Sequence, residues 1–303
     1  MNFALRPTPP FDFNLTAEIF SNGDEQILRY EAGRYWQVLR LDGKLVVIIV
    51  ESLGTVDDPR LSVEIKPDDA ISSKDIKVVE EKVATMFNLR LDLGPFYKEV
   101  KGDPVLSEIV EKLQGLRSPV TSTVFEALIS SIIEQQISLN VALSLERRLT
   151  KTFGETVETG GKTYYAFPAP NSLASATIEQ IRGCGLSQKK SEYIAEISKL
   201  VGDGKLDLES LKNHEDLGEI TFELDKIRGI GIWTAELTMM RGMNKLEAMP
   251  ADDLGLRRCI AHYYRNDKKI SGKEARAIAD KWGRWKGLAG FYLIVAERKG
   301  LKI

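Results

Sequence analysis

The chain has 303 residues, 43% of them hydrophobic and 28% charged, a globular composition long enough for two or three compact units. No apolar run reaches the ~18 residues that would span a bilayer, and the opening Met1–Phe13 segment does not read as a signal peptide, so a cytoplasmic protein without a membrane partner is expected. A net charge of −2 excludes bulk basic attraction to nucleic acid, and two cysteines, Cys184 and Cys259, exclude a disulfide framework or a four-thiolate cluster.

The first third reads as strands. Runs at 35–41 and 44–50 flank Asp42-Gly43, a dipeptide that between β-rich segments signals a tight hairpin. Leu61, Val63 and Ile65 alternate with polar residues, as in a half-buried strand. Ile76, Val79, Val83, Met86 and Phe87 then recur at helical spacing, on a helix able to cover one face of a sheet. Residues 1–105 are therefore expected to form an α+β domain.

From there to residue 303 the pattern is helical, and the fold class is mostly α with an α+β N-terminal domain. Val124, Leu128 and Ile132 step by four until Glu134-Gln135-Gln136 interrupts, and Ser138 stands where it could cap a helix carrying Val141, Leu145 and Leu149. Gly160-Gly161 and the prolines at 168 and 170 mark a long loop. Residues 187–200, 225–240 and 254–264 read as further helices. Ser271 and Glu274 form a capping box, and a last helix starts near Trp285. Both cysteines, and Trp36, Trp282 and Trp285, are expected in the core.

Two stretches carry chemistry. In Leu224-Asp-Lys-Ile-Arg-Gly-Ile-Gly-Ile-Trp-Thr-Ala-Glu, two glycines enclose an apolar residue between helical patterns. Glycines allow a tight turn and close backbone approach, and a helix starting there presents free N–H groups to an anion such as a phosphate. Such a site needs no lysine, which answers the unfavourable net charge. The second stretch is Pro250-Ala-Asp-Asp-Leu-Gly-Leu-Arg-Arg, whose Asp253 lies 20 residues beyond Trp233. Paired acids ahead of a helix are ordinarily caps; order and spacing set these apart.

The two stretches resemble the helix-hairpin-helix-Gly/Pro-Asp motif of base-excision DNA glycosylases. Ile133-Glu-Gln-Gln-Ile-Ser, Phe167-Pro-Ala-Pro and Ile181-Arg-Gly-Cys-Gly-Leu-Ser-Gln-Lys-Lys-Ser-Glu-Tyr are similar to other segments of the same core. The resemblance implies a DNA cleft between helical domains, a hairpin near residues 222–242, and Asp253 as the catalytic carboxylate. It also implies a wedge at Gln136, with Gln135 as the alternative, that fills the gap left by a flipped nucleotide. The amides of Gly229 and Gly231 and the Thr234 hydroxyl would hold phosphate, and Lys189, Lys190, Arg257 and Arg258 are further candidate phosphate contacts. Carbonyls of Asp225, Ile227 and Ile230 are candidate ligands of a structural sodium or potassium ion; no other cofactor is expected.

Bifunctional relatives carry a lysine where this chain has Trp233, and other branches add a four-cysteine iron–sulfur loop that finds no counterpart after Cys259. What remains resembles the alkylation-repair branch, the 3-methyladenine glycosylases. The expected substrate is thus an alkylated purine in double-stranded DNA, cut by a monomer and leaving an abasic site. The alternatives are a glycosylase for a neutral lesion and a non-catalytic DNA-binding module. Two positions depart from the aromatic residues of the bacterial enzyme, Leu237 one turn past Trp233 and Ile294 on the last helix. Arg298 lies a turn beyond Ile294 and would reach the pocket mouth. Phe11, Phe13, Ile19 and above all Phe20 are candidates for the pocket floor.

Overall fold

A computed structural model describes residues 1–67 and 71–303. Strands β1 (Asn2–Leu5), β2 (Leu28–Glu31), β3 (Arg34–Leu41), β4 (Lys44–Ser52) and β5 (Leu61–Lys66) form one antiparallel sheet in the order β1-β5-β4-β3-β2. The expected hairpin joins β3 to β4, with Leu41 opposite Lys44 and Gly43 at φ +72°. Period-two alternation puts Tyr35, Leu39, Ile48, Val50, Leu61, Val63 and Ile65 on one buried face. Helices α1 (Phe13–Phe20) and α2 (Ser73–Met86) cover that face, and Val79 and Val83 pack into it.

The core changes hands earlier than the sequence pattern suggests. Residues up to Leu89 belong to the sheet's cluster, whereas Leu93, Phe96 and Val100 of α3 (Gly94–Val100) and Leu106 and Ile109 of α4 (Pro104–Lys112) pack with the C-terminal helices. The change therefore falls near residue 90, upstream of the boundary expected at 105. The apolar faces of α3 and α4 find their partners at the far end of the chain.

Two helical clusters follow. One combines α5 (Val124–Glu134), α6 (Leu139–Phe153), α7 (Pro170–Ala174), α8 (Ile178–Gly183), α9 (Gln188–Gly202), α10 (Leu217–Asp225) and α11 (Ile232–Met243). The other joins α3 and α4 to α12 (Leu254–Arg265), α13 (Gly272–Ala279) and α14 (Lys286–Arg298). Helix α11 sits on the seam, giving Ala235, Met239 and Met243 to the first cluster and Met240 to the second. Cys184, Cys259, Trp282 and Trp285 are buried as expected, while Trp36 is half-buried.

Gly160-Gly161 sits not in a long loop but in the turn of a hairpin, β6 (Thr156–Thr159) and β7 (Lys162–Tyr165), with both glycines at positive φ. Paired glycines between short β-prone runs carry that signal. Val157 and Tyr164 of this hairpin cover the second face of the sheet against Val38 and Val47. The helix expected over 225–240 starts only at Ile232, and a separate helix ends at Asp225, because the turn between them takes residues 226–231. The Ser271–Glu274 capping box forms, whereas Ser138 occupies the N-cap position of α6 without a side-chain cap bond.

Candidate active site and nucleic-acid interface

The turn between α10 and α11 uses its two glycines differently. Gly229 has φ +89°, and a Cβ there would lie 2.3 Å from the Tyr193 ring, so both backbone conformation and packing demand glycine. Gly231 is the N-cap of α11 at φ −106°, is exposed, and a Cβ on it would meet nothing within 4 Å. Glycine at 231 keeps the approach to the helix N-terminus open. No side chain caps α11, whose first N–H groups and positive dipole end face that opening.

Beside the turn lies the α5–α6 loop. Gln135 Nε2 donates to the Gly229 carbonyl and to Thr234 Oγ1, each at 3.0 Å, tying loop to hairpin. Lys190 Nζ donates to the carbonyls of Ile133 (2.8 Å) and Gln135 (2.6 Å), the last acceptors of α5. Half-burial of this ammonium lowers its pKa by desolvation. Glu134 pairs with Arg241 of α11. Between these anchors Gln136 stays exposed at φ +57°, a conformation that side-chain-bearing residues rarely adopt. Gln135 thus positions the loop, and Gln136 is its projecting tip.

Asp253 is the N-cap of α12: Oδ1 accepts the Leu256 N–H at 2.8 Å, and Oδ2 accepts the indole N–H of Trp233 at 3.2 Å. Two segments 20 residues apart thereby meet across the seam between the helical clusters, and both side chains remain partly accessible. Leu237 is buried one turn behind Trp233. Ile294 is half-buried on α14, and Arg298 is exposed at that helix's last position.

Other expected residues do different work. Phe20 stacks on Tyr35 at 5.7 Å and meets Phe87 edge-on, so it belongs to the aromatic core of the N-terminal domain rather than to the pocket. Phe11 and Phe13 lie in the same core. Arg257 turns its guanidinium onto the Ile270 carbonyl (2.9 and 2.6 Å) and braces the α12–α13 connection. Lys190 likewise props the α5–α6 loop from behind. Thr234 is 2% exposed and its hydroxyl receives Gln135, so a phosphate at α11 would meet backbone N–H groups rather than this side chain. Arg258 pairs with Glu297 through both ends of its guanidinium, and Lys189 is exposed.

Sequence reading missed the apolar rim. Ile137 and Leu139 beside Gln136, Ile232 at the start of α11 and Leu254 (77% exposed) at the start of α12 are large hydrophobics left in solvent. Their signal lies in position: each of the last two directly follows an N-cap, off the buried stripe of its helix.

Residues 129–284 match the family described as HhH-GPD superfamily base excision DNA repair protein. The chain is 37% identical over 209 residues, 68% of either protein, to a DNA-3-methyladenine glycosylase of Bacillus subtilis. A solved 3-methyladenine DNA-glycosylase from Archaeoglobus fulgidus superposes with a TM-score of 0.88 at 28% identity, over 99% of this chain and 100% of that one. A Clostridium acetobutylicum 8-oxoguanine glycosylase/lyase shares the fold at a TM-score of 0.78 and 23% identity, over 99% and 98% of the two chains. Its glycine hairpin, capping aspartate and two-cluster helical core accord with these matches, and the chain belongs to the HhH-GPD superfamily of base excision DNA repair glycosylases.

Proposed function

We propose that this DNA glycosylase removes alkylated purines of the 3-methyladenine and 7-methylguanine type from double-stranded DNA by hydrolysis, leaving an abasic site. The observation that carries the reading is the pairing of the Trp233 indole with the Asp253 carboxylate at the seam. A purine alkylated at N3 or N7 is cationic, hence already a good leaving group, and is attracted to the electron-rich face of an indole. As its N-glycosidic bond lengthens, the sugar takes on oxocarbenium character. A carboxylate fixed by two N–H donors stabilises that charge without having to reorganise, and can orient the attacking water. Tryptophan at position 233 offers no amine for a Schiff base, so the reaction stops at the abasic site.

Binding would use the open N-terminus of α11 for a backbone phosphate. Gln136 would enter the stack as the base leaves it, an extrusion costing a few kcal/mol and less at a damaged pair. The carbonyls of Asp225, Ile227 and Ile230 would hold a sodium or potassium ion; the Ile227 carbonyl, which accepts the Ile230 N–H at 3.1 Å, would offer its second lone pair. One chain suffices for the whole site, so the working form is a monomer.

The test is release of free base from methylated duplex DNA, scored beside strand scission and borohydride trapping. Methylpurine release without scission or a trapped covalent complex is expected. Absence of release alongside tight binding to an abasic-analogue duplex would show that the alkylated substrate is wrong.

A further inference from the structure

Behind the Trp233–Asp253 pair lies a second charge cluster, built on one buried carboxylate, that the reaction leaves unused. Glu236, one turn after Trp233 on α11, is 8% exposed. Arg276 of α13 grips it bidentately, Nη1 to Oε1 at 2.6 Å and Nη2 to Oε2 at 2.9 Å. The same guanidinium reaches the Met249 carbonyl at 3.4 Å and stands 3.8 Å from Asp252. These last two belong to the segment that delivers Asp253. That segment is folded on itself, Ala251 N–H onto the Met249 carbonyl at 2.7 Å and Asp253 N–H onto the Pro250 carbonyl at 2.9 Å. From the other side, the start of α13 presses on it so closely that a Cβ at Gly272 would fall 2.0 Å from Asp252 Oδ1.

We propose that Arg276 is a positioning residue for base excision, a clamp that fixes the carboxylate of Asp253 relative to the ring of Trp233 by holding α11 and the 249–252 segment in one grip. The two halves of the site come from different elements, and their direct link is one hydrogen bond of 3.2 Å. A guanidinium bound at both ends to Glu236 sets the rotation of α11 from behind, and its reach to Met249 and Asp252 sets the height of the loop. An arginine suits this task because its planar fork makes several directed bonds at once, which an ammonium cannot. Neither Arg276 nor Glu236 touches the reacting atoms in this assignment; both act through Trp233 and Asp253. The inference rests on Asp253 as the working carboxylate.

The test compares Arg276→Gln, Arg276→Lys and the double variant Glu236→Gln/Arg276→Met with wild type and Asp253→Asn. Four quantities are read: single-turnover base release on methylated duplex, Kd for an abasic-analogue duplex, thermal unfolding and tryptophan fluorescence. Displacement of a catalytic group by an ångström can lower a rate about 100-fold, so Arg276→Gln is expected to slow release by roughly tenfold to 100-fold while Kd moves little. Arg276→Lys should recover part of the rate. Arg276→Gln also strands a buried carboxylate and will lose stability. The double variant removes that charge, and is expected to regain the melting temperature without regaining the rate. Recovery of both together would reduce the cluster to a structural ion pair and overturn the proposal, as would a wild-type rate in Arg276→Gln. Normal release by Asp253→Asn would overturn the reading of the site on which the clamp depends, whatever the Arg276 variants do.

Discussion

Asp253 has two duties that can be separated by substitution. Its Oδ1 caps α12 through Leu256 N–H, and its Oδ2 holds the Trp233 indole and faces the seam. Asparagine ranks with aspartate as an N-cap, while alanine at such a position costs about 1 kcal/mol. For a chain of this size a loss of that order lowers the melting temperature by roughly 1–2 °C. Catalysis scales differently. Removing one preorganised electrostatic partner of a charged transition state slows an enzyme about 100- to 1000-fold, or roughly 3–4 kcal/mol. Asp253→Asn can keep its oxygen on Leu256 only by turning its amide NH2 toward the indole N–H, donor against donor; the half-exposed ring can rotate to relieve this. The expectation is a nearly wild-type melting temperature with the rate lost and tryptophan fluorescence altered. Asp253→Ala should lose the rate and the cap together. Thermal unfolding, single-turnover base release and abasic-duplex binding, run on the same preparations, decide it. Equal destabilisation by the two substitutions, or release by the asparagine variant within about threefold of wild type, would refute the reasoning.

The two hairpin glycines should respond differently to alanine. Gly229→Ala meets the Tyr193 ring and a positive φ, and should lower both stability and DNA affinity; Gly231→Ala meets nothing within the protein, and should weaken DNA binding at unchanged melting temperature. Lys190→Met removes two bonds, to the carbonyls of Ile133 and Gln135, rather than a phosphate contact. It should slow base flipping, read with a fluorescent base analogue, while the slope of log Kd against log salt stays at the wild-type value; a slope reduced by about one would show a phosphate contact after all. Glu126 lines a cavity of about 480 Å³ between the sheet and α5, where desolvation and then the charge of Glu146 push its pKa up to about 8. The folded protein keeps this proton where the unfolded chain has released it, so stability falls as pH rises from the ordinary carboxylate range toward 8. Glu126→Gln should flatten that decline in melting temperature, and an unchanged pH profile would dismiss the carboxyl as its source.

Features whose causes are local can be read directly along the chain. Asp42-Gly43 specifies a two-residue turn, alternation at 61–65 specifies a strand, and Ser271 with Glu274 specifies a helix start, because each is decided within a few residues by backbone sterics and capping. The glycine hairpin and the aspartate cap of α12 are local in the same sense, so both were legible along the chain, whereas the bond joining Trp233 to Asp253 is tertiary. Tertiary structure decided wherever a long side chain could choose its partner. The family resemblance makes Lys190, Arg257 and Thr234 candidate phosphate contacts, yet the folded chain already gives them carbonyl or amide partners. Phe20 had an aromatic cluster to join, α3 and α4 had apolar faces that only the C-terminal helices match, and the paired glycines at 160–161 needed a sheet face to fold against. Arg276 and Glu236, separated by 40 residues, meet only because α11 and α13 pack on either side of one loop. Local geometry can be read along the chain because its energy is confined to neighbouring residues. The choice among distant partners depends on burial and distance, which exist only once the helices are packed.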